Sequence, residues 1–330
     1  LGVPLYYARP DALKGSLVHT LQEAKPTIFV TVPRVFEKMV EAISAQLAHS
    51  SWILRTVANF ARKRGTIYCN NLQVGTKKQR LTFFSLADRI LSKIRSRLGL
   101  NEARLLFSAA APIDLGTVQF LASFGIPVFE IFGMSESSGP TTFHTFGQWK
   151  MGTTGKAMRG SIVKTVPGSN EIIVSGRHVF MGYLEMPEET LRAIDDDGFL
   201  HSGDCGSVDA DGFWKVTGRI KELIVTAGGE NIPPILIESE LKRLAPALSN
   251  VVLIGDKRKY LTVLLTLNCR TSGDSEGMEG ELLGEAKELM KTLGSSATTA
   301  EEAAEDPLVQ QYFYDVIQKY NASAFSNAQK

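Results

Sequence analysis

Apolar positions near the start of the chain recur at helical spacing, switch to a β-branched run, and then resume the helical period. "DALKGSLVHTLQEA" (11–24) predicts a helix, "PTIFVTV" (26–32) a short strand, and "PRVFEKMVEAISAQLA" (33–48) a second helix with Pro33 at its start. Two more helices are expected in "SSWILRTVANFARKRG" (50–65) and "TKKQRLTFFSLADRILSKIRSRLGL" (76–100), amphipathic, basic and joined by a polar link. Next come a buried strand ending in a small-residue loop, "ARLLFSAAAP" (103–112), a helix, "DLGTVQFLASFG" (114–125), and a strand that runs into a polar Gly/Ser loop, "IPVFEIFGMSESSGP" (126–140). Strand, crossover helix and second strand imply a parallel sheet, and such sheets hold ligands at the carboxyl ends of their strands.

Turn signals crowd the stretch from Gly152 to Thr217, where "SNEIIVSG" (169–176), "HVFMGYL" (178–184) and "GFLHSGDCGSVDADGFWKVTG" (198–218) predict short antiparallel strands. From Lys221 onward a strand, "ELIVT" (222–226), a helix, "PPILIESELKRLA" (233–245), and a strand pair, "NVVLIGDKRKYLTVLLTL" (250–267), predict a small α+β domain. Residues 270–306 read as acidic, Gly/Ser/Ala-rich and loosely helical, followed by a last helix. The fold class is therefore α/β. Residues 1–151 form part of a mixed domain with a parallel sheet and a basic helical insertion at 50–98, residues 152–220 an antiparallel subdomain, and residues 221–330 a smaller α+β domain.

Composition narrows the function classes. With 330 residues and 44% hydrophobic content the chain can bury a core for two or three domains. Its 36 Lys plus Arg against 35 Asp plus Glu give no global charge with which to hold nucleic acid, and none is expected as a partner. The charge is segregated, however: eleven Lys or Arg and one acid, Asp88, lie between Arg55 and Arg97, a local excess of +10 against −9 elsewhere. Cys69, Cys205 and Cys269 are far apart, which argues against both a disulfide framework and a zinc site and suits a reducing compartment. Asp114, Gln119, Pro127 and Glu130 interrupt the most apolar long stretch, so no transmembrane helix is expected. The chain opens on Leu1 without a basic segment and apolar core, so it reads as carrying no signal peptide and as a piece of something longer.

Three places can carry chemistry. In "FGMSESSGPTT" (132–142), backbone N–H and Ser hydroxyls at the end of a parallel strand can face phosphate oxygens while Glu136 holds a hard cation such as Mg²⁺. The bland alternative, commoner for Gly/Ser loops, is that the serines satisfy their own backbone. In "HSGDCG" (201–206), Asp204 can accept both hydroxyls of a ribose, or else make an Asx turn; the following "DADG" (209–212) reads as the turn. Arg219, fifteen positions after Asp204, can bind phosphate or ribose oxygens, or form an exposed ion pair of little worth.

Six segments in order carry a resemblance: "TVPRVFEKM", "LLFSAAAPID", "EIFGMSESSGPTT", "EIIVSGRHVFMGY", "HSGDCGSVDADGFWKVTGRIKELIVTAGGEN" and "NVVLIGDKRKYLTVLLTL". From about Pro26 to its end the chain resembles the adenylate-forming superfamily of acyl- and aryl-CoA synthetases, luciferases and adenylation domains, and within it the bubblegum-type long-chain acyl-CoA synthetases. The resemblance implies a long-chain fatty acid:CoA ligase that uses ATP, Mg²⁺ and CoA by way of an acyl-adenylate. It sets Glu130, Ile131, Phe132, Gly133, Met134 and Ser135 along the adenine and phosphates, with Phe132 as the ring-stacking aromatic and Ser135 as the phosphate-binding hydroxyl, where the family usually has Tyr and Thr. It further implies Glu136 as the Mg²⁺-linked carboxylate, Ala110, Ala111 and Pro112 as the loop beneath the adenine, Asp204 as the ribose-binding acid and Arg219 as its partner on the ribose and phosphate side. Lys221 falls at the hinge of a small mobile C-terminal domain, and Gly228 and Gly229 on the loop that lines the pantetheine channel.

The family's triphosphate loop falls upstream of Leu1 and its C-terminal catalytic lysine beyond Lys330, so the C-terminal domain reads as incomplete. This chain is expected to adenylate weakly or not at all, and its full-length parent to be active. "GTTGKAMRG" (152–160) looks like a phosphate loop only superficially. Two other readings stand beside the ligase: an adenylation domain that loads a carrier-protein thiol, and a non-catalytic nucleotide- or lipid-binding module. The basic helices at 52–98 either meet an anionic membrane surface or pack on the domain with a solvated basic face, the commoner outcome for an amphipathic helix. The expected location is cytoplasmic, with peripheral contact to the endoplasmic reticulum or another membrane as the alternative those helices leave open.

Overall fold

The structure is a computed structural model that describes residues 3–12, 15–48, 50–270, 278–324, 326 and 329. Its contacts divide the chain into two compact units, Leu1–Ser202 with Gly206–Val216, and Gly203–Cys205 with Thr217–Lys330.

The first unit begins α1 (Leu17–Ala24), β1 (Ile28–Thr31), α2 (Pro33–Ala48), α3 (Trp52–Leu72), α4 (Phe84–Arg97), β2 (Leu105–Ser108), α5 (Leu115–Ser123), β3 (Val128–Met134), β4 (Gly139–Phe143) and β5 (Lys156–Ala157). One five-stranded sheet runs β1-β2-β3-β4-β5. The pairs β1/β2 and β2/β3 are parallel, as the strand–helix–strand pattern predicts, with Ser108 beside Glu130. The pairs β3/β4 and β4/β5 are antiparallel. Asp114 caps α5 by accepting from Thr117 N at 2.8 Å, which satisfies one of the otherwise orphan donors of the first turn. Phe36, Leu91, Leu100, Leu121, Phe124 and Ile126 form the fully buried heart of this layer.

The unit continues through β6 (Ser161–Thr165), β7 (Glu171–Gly176), α6 (Pro187–Ala193), β8 (Leu200–Val208) and β9 (Trp214–Arg219), whose strands form a sheet in the order β6-β7-β8-β9. The turn expected at 209–212 is present: Asp209 Oδ1 accepts from Asp211 N and Phe213 N, both at 2.9 Å.

The second unit adds β10 (Ile224–Val225), β11 (Asn231–Ile232), α7 (Pro234–Leu244), β12 (Leu248–Ile254), β13 (Thr262–Leu267), α8 (Gly284–Leu293), α9 (Ala300–Glu305) and α10 (Pro307–Ser323). β10 and β11 make a small hairpin, and β12 pairs antiparallel with β13. Ile232, Ile237, Leu241, Val251, Val316 and Tyr320 form one core, and Leu282, Ala286, Met290 and Val309 belong to another.

Several elements depart from the pattern reading. "HVFMGYL" is no strand, because its hydrogen-bonding groups go to loop neighbours: Phe180 N donates to Glu136 O at 2.8 Å and Tyr183 N to Thr190 Oγ1 at 2.9 Å, while Gly182 takes φ +142°. The loop read at Gly139–Pro140 is the start of β4, and α6 was not foreseen. The strand expected at 222–226 shrinks to β10 because a 3-10 turn occupies Ile220–Glu222. The first helix starts at Leu17 rather than residue 11. Of the loosely helical stretch, 271–277 lie outside the described residues, while α8 and α9 are regular helices, the latter capped reciprocally by Thr299 and Glu302. Among the described residues no helix is long and apolar enough to cross a membrane.

The expected end of α3 at Gly65 also fails, since the helix runs on to Leu72. Gly65 is instead a contact point: a Cβ there would lie 2.1 Å from Ser123 O at the end of α5. Nearby, Arg62 Nε donates to Ser123 Oγ at 3.0 Å, and its guanidinium lies over the Phe120 ring at 4.7 Å. In an exposed helix Gly→Ala gains roughly 1 kcal/mol. Here Gly65→Ala is expected to cost about 2 kcal/mol from overpacking against a backbone carbonyl that cannot yield, read as a lowered midpoint in thermal or urea unfolding.

Candidate nucleotide site

The parallel register puts two loops of the first unit side by side. β2 ends at the buried Ser108, and the chain leaves through Ala110, Ala111 and Pro112, all exposed, with Ala110 in the left-handed region at φ +72°. Small side chains keep this backbone approachable, as a shelf beneath a planar ligand requires. Beside it, β3 carries Glu130 to Met134. Gly133 cannot be replaced without movement, because a Cβ would sit 2.0 Å from Gly139 O, where β4 turns back onto β3.

The corner between β3 and β4 is a 3-10 turn, Ser135–Ser137, followed by Ser138 at φ +55°. The two readings of its serines divide by residue. Ser137 is buried, accepts from Met134 N at 3.2 Å and donates to Gly139 O at 2.9 Å; it serves the backbone. Ser135 is exposed. Behind the turn Thr141 Oγ1 donates to Ser137 Oγ at 3.0 Å, and Thr142 Oγ1 to Thr154 Oγ1 at 2.8 Å. These hydroxyl pairs escaped the sequence reading, although "SSGPTT" displays the residue types.

Glu136 projects from the turn with one carboxylate oxygen accepting from Tyr183 Oη at 2.9 Å. Desolvation, then the bond and charge of Glu136, push the Tyr183 hydroxyl above its ordinary pKa and keep it a donor. Tyr183 was missed because it lies 47 positions away in a segment read as a strand. Among the described residues no group of three or more His, Cys, Asp or Glu converges as a metal cluster. A cation held by a lone carboxylate such as that of Glu136 would take its remaining ligands from phosphate oxygens and water, the coordination that Mg²⁺ favours.

Phe132 is placed otherwise than a stacking platform requires. Its ring is 8% exposed and belongs to an apolar cluster with Ile172, Val174 and Trp214, so a base meets it only if that packing opens. Burial pushes the Glu130 carboxyl up to about 8, against the opposing pull of Lys215 and of a backbone hydrogen bond at Gly152, and the group is mostly protonated at neutral pH. Glycines in "GTTGKAMRG" serve packing: Gly155 has φ +86°, and a Cβ there would meet Phe143 C at 2.1 Å. A cavity of about 510 Å³ includes Arg104 and Pro127, which precede β2 and β3, and none of the candidate residues lines it.

The second unit brings Asp204 on β8 and Arg219 at the end of β9 together, with Arg219 Nε 3.2 Å from Asp204 Oδ1. The carboxylate is 16% exposed and the guanidinium 64%, so most of the fork remains available. A pair this exposed contributes little to stability. Lys221 lies exposed in the 3-10 turn, and Gly228 and Gly229 form the exposed tip between β10 and β11. Only Gly229, at φ +79°, is required as glycine by its conformation; a Cβ at Gly228 would meet nothing nearer than Thr226 Oγ1 at 3.7 Å.

Residues 1–184 match the family model described as AMP-binding enzyme. The long-chain-fatty-acid–CoA ligase ACSBG2 of Gallus gallus is 43% identical over 335 residues, which cover 100% of this chain and 44% of that protein. ACSBG2 of Homo sapiens is 39% identical, covering 100% of this chain and 50% of its own length, and ACSBG1 of Homo sapiens 41%, covering 98% and 45%. The chain spans about half the length of the curated relatives it matches. In fold it is similar to the adenylation domain of a carboxylate reductase from Mycobacterium chelonae, at TM-score 0.61 and 18% identity over 98% of this chain and 43% of that one. An anthranilate CoA ligase solved with anthranoyl-AMP has TM-score 0.58 and 15% identity, over 98% of this chain and 48% of that one.

Just past the end of β4, His144 is buried and its Nε2 lies 3.0 Å from Thr153 Oγ1. Desolvation lowers its pKa from 6.5 to about 4, so the folded state binds a proton less readily than the unfolded chain. His144 should therefore remove up to about 3 kcal/mol of stability as pH falls from 6.5 to 4. Glu130 acts with the opposite sign: its contribution is complete below 4.5 and is lost as pH rises toward 8. Melting curves across pH 4–7 should fall less steeply toward acid in His144→Phe than in the unsubstituted chain; parallel profiles would show that His144 is not the proton acceptor.

Proposed function

The chain belongs to the AMP-binding enzyme family, and on that premise we propose that it is part of an ATP-dependent long-chain fatty acid:CoA ligase. The observation that carries the reading is whole-chain identity of 39–43% to proteins named for that reaction, against likeness of fold alone to the carboxylate-reductase and anthranilate enzymes. In this reaction a fatty carboxylate oxygen attacks the α-phosphorus of ATP and pyrophosphate leaves. The thiolate of CoA then attacks the acyl carbonyl of the adenylate and AMP departs. Both steps depend on alignment and charge stabilisation, which is why no protein nucleophile is required.

Each candidate residue has a role in that scheme. Ala110, Ala111 and Pro112 make the shelf under the adenine, and the segment Glu130–Met134 forms its side, with Glu130 uncharged near the base. Ser135 offers its exposed hydroxyl to phosphate. Glu136, held by Tyr183, carries the carboxylate for Mg²⁺, which when bound neutralises phosphate charge. Asp204 accepts the ribose hydroxyls and Arg219, steered by Asp204, donates to ribose and phosphate oxygens. Lys221 is the hinge between residues 152–220 and 221–330, and the tip at Gly228 and Gly229 swings toward the pantetheine arm. The fatty acid, ATP and CoA are the partners, and the protein works in the cytoplasm.

Fatty-acid-dependent ATP–pyrophosphate exchange and CoA thioester formation by the full-length protein test the proposal. Asp204→Ala and Arg219→Ala should each lower kcat/KM for ATP by about 10- to 100-fold, the worth of a charged hydrogen bond. Absence of exchange with fatty acids of every length would overturn the ligase reading. Lys221→Pro should slow thioester formation more than exchange, because a hinge must change its backbone angles between the steps. Equal loss of both would remove Lys221 from that role.

A further inference from the structure

The start of α3 is an anomaly for a helix on a domain surface. Such a helix turns one apolar stripe inward and its polar side outward. Here every residue from Trp52 to Val57 is exposed and the first buried position is Ala58. Ile53, Val57 and Phe60 recur at i, i+4 and i+7 along an exposed stripe, while Trp52 and Leu54 widen the apolar surface at the tip.

Cations lie along the same helix pair. Arg55 and Lys63 are exposed on α3, and the Arg64 guanidinium lies 5.4 Å over the Phe60 ring. α4 runs antiparallel to α3: Tyr68 stacks on Phe84 at one end with centroids 4.8 Å apart, while Arg62 and Arg95 both reach Phe124 at the other. The exposed Lys93 and Arg97 therefore lie at the end of the pair where α3 enters rather than leaves. The one acid between Arg55 and Arg97, Asp88, is already paired with Arg95 at 2.6 Å.

We infer that the first three turns of α3 dock on an anionic lipid bilayer, with Trp52, Ile53, Leu54, Val57 and Phe60 entering the headgroup boundary and Arg55, Lys63 and Arg64 along the same helix meeting lipid phosphates and carboxylates. Charge complementarity selects this occupant: a protein partner would need an acidic surface with an apolar centre shaped to a helix tip, whereas a bilayer supplies both without shape. Tryptophan at the leading position suits the interface, where its ring is apolar and its N–H remains wet. The protein lies on the surface through this tip rather than through the whole of 52–98: Ala58, Ala61, Gly65 and Cys69 of α3 and Ala87 and Leu91 of α4 are buried against their own unit. The inference goes beyond the ligase reading and does not depend on it.

The test exploits an accident of composition. Of the three tryptophans, Trp149 is 2% exposed, Trp214 5% and Trp52 72%, so a change in emission on adding vesicles reports Trp52. Phosphatidylcholine vesicles are compared with vesicles containing about 30% phosphatidylserine, a level that gives a clearly negative surface. Sedimentation with the anionic vesicles only, a blue shift and protection from acrylamide are expected, all weakened by salt. Trp52→Ser/Ile53→Ser/Leu54→Ser should abolish them with unchanged circular dichroism, and Arg64→Glu should weaken binding by about fivefold or more. Trp52→Phe should still sediment but show no shift. Unchanged emission with both vesicles would overturn the inference. So would a vesicle-independent shift that tracks a dimer mass in ultracentrifugation, which would make a second copy the occupant. Binding by this chain but not by the full-length protein would overturn it too, by assigning the tip to residues outside this chain.

Discussion

Everything at the corner between β3 and β4 depends on one close approach. Strand β3 has a parallel neighbour on one edge and an antiparallel one on the other, so the chain must reverse within the few residues between Met134 and Gly139. The reversal closes because Gly133 has no Cβ to meet Gly139 O at 2.0 Å, and because the Ser137 hydroxyl satisfies groups that the tight turn would otherwise leave without partners. Glu136 is thrown outward at the apex as a consequence. Its main-chain oxygen and its carboxylate are then tied to one segment by Phe180 N and Tyr183 Oη, so the 178–184 loop is part of the turn and not an independent element.

That dependence explains what the sequence did and did not disclose. The order of the first unit was legible because its elements carry strong periods: the β2–α5–β3 crossover follows from apolar runs broken by Asp114 and Gly125. Asp204 and Arg219 were joined by the resemblance and not by spacing; the hairpin at "DADG" is what folds the fifteen residues back to bring them together. "HVFMGYL" was not legible, because alternating apolar residues look alike whether their N–H groups join a ladder or a loop. Gly65 was misread for a related reason: a glycine in a helical run signals an end on local grounds, and only the Ser123 carbonyl, 58 positions on, gives it another purpose. Periodicity also says that Phe132 has a covered and an open side without saying which of its neighbours covers it; Ile172, Val174 and Trp214 do.

The placement of charge follows from the same packing. Two ionisable groups at the end of the β3–β4 hairpin away from the turn, Glu130 on β3 and His144 just past β4, are held uncharged: Glu130 by its pKa of about 8, and His144 by its pKa of about 4. In each case desolvation is the largest cause, so neutrality is the state the fold favours. The buried end of the hairpin is thus left without charge, while Ser135 and Glu136 stand at its turn. Glu130 is therefore present mostly as a neutral acid at neutral pH. The burial that denies Glu130 ionisation is set where Lys215 and the Gly152 backbone reach it, four residues along β3 from the turn that projects Glu136.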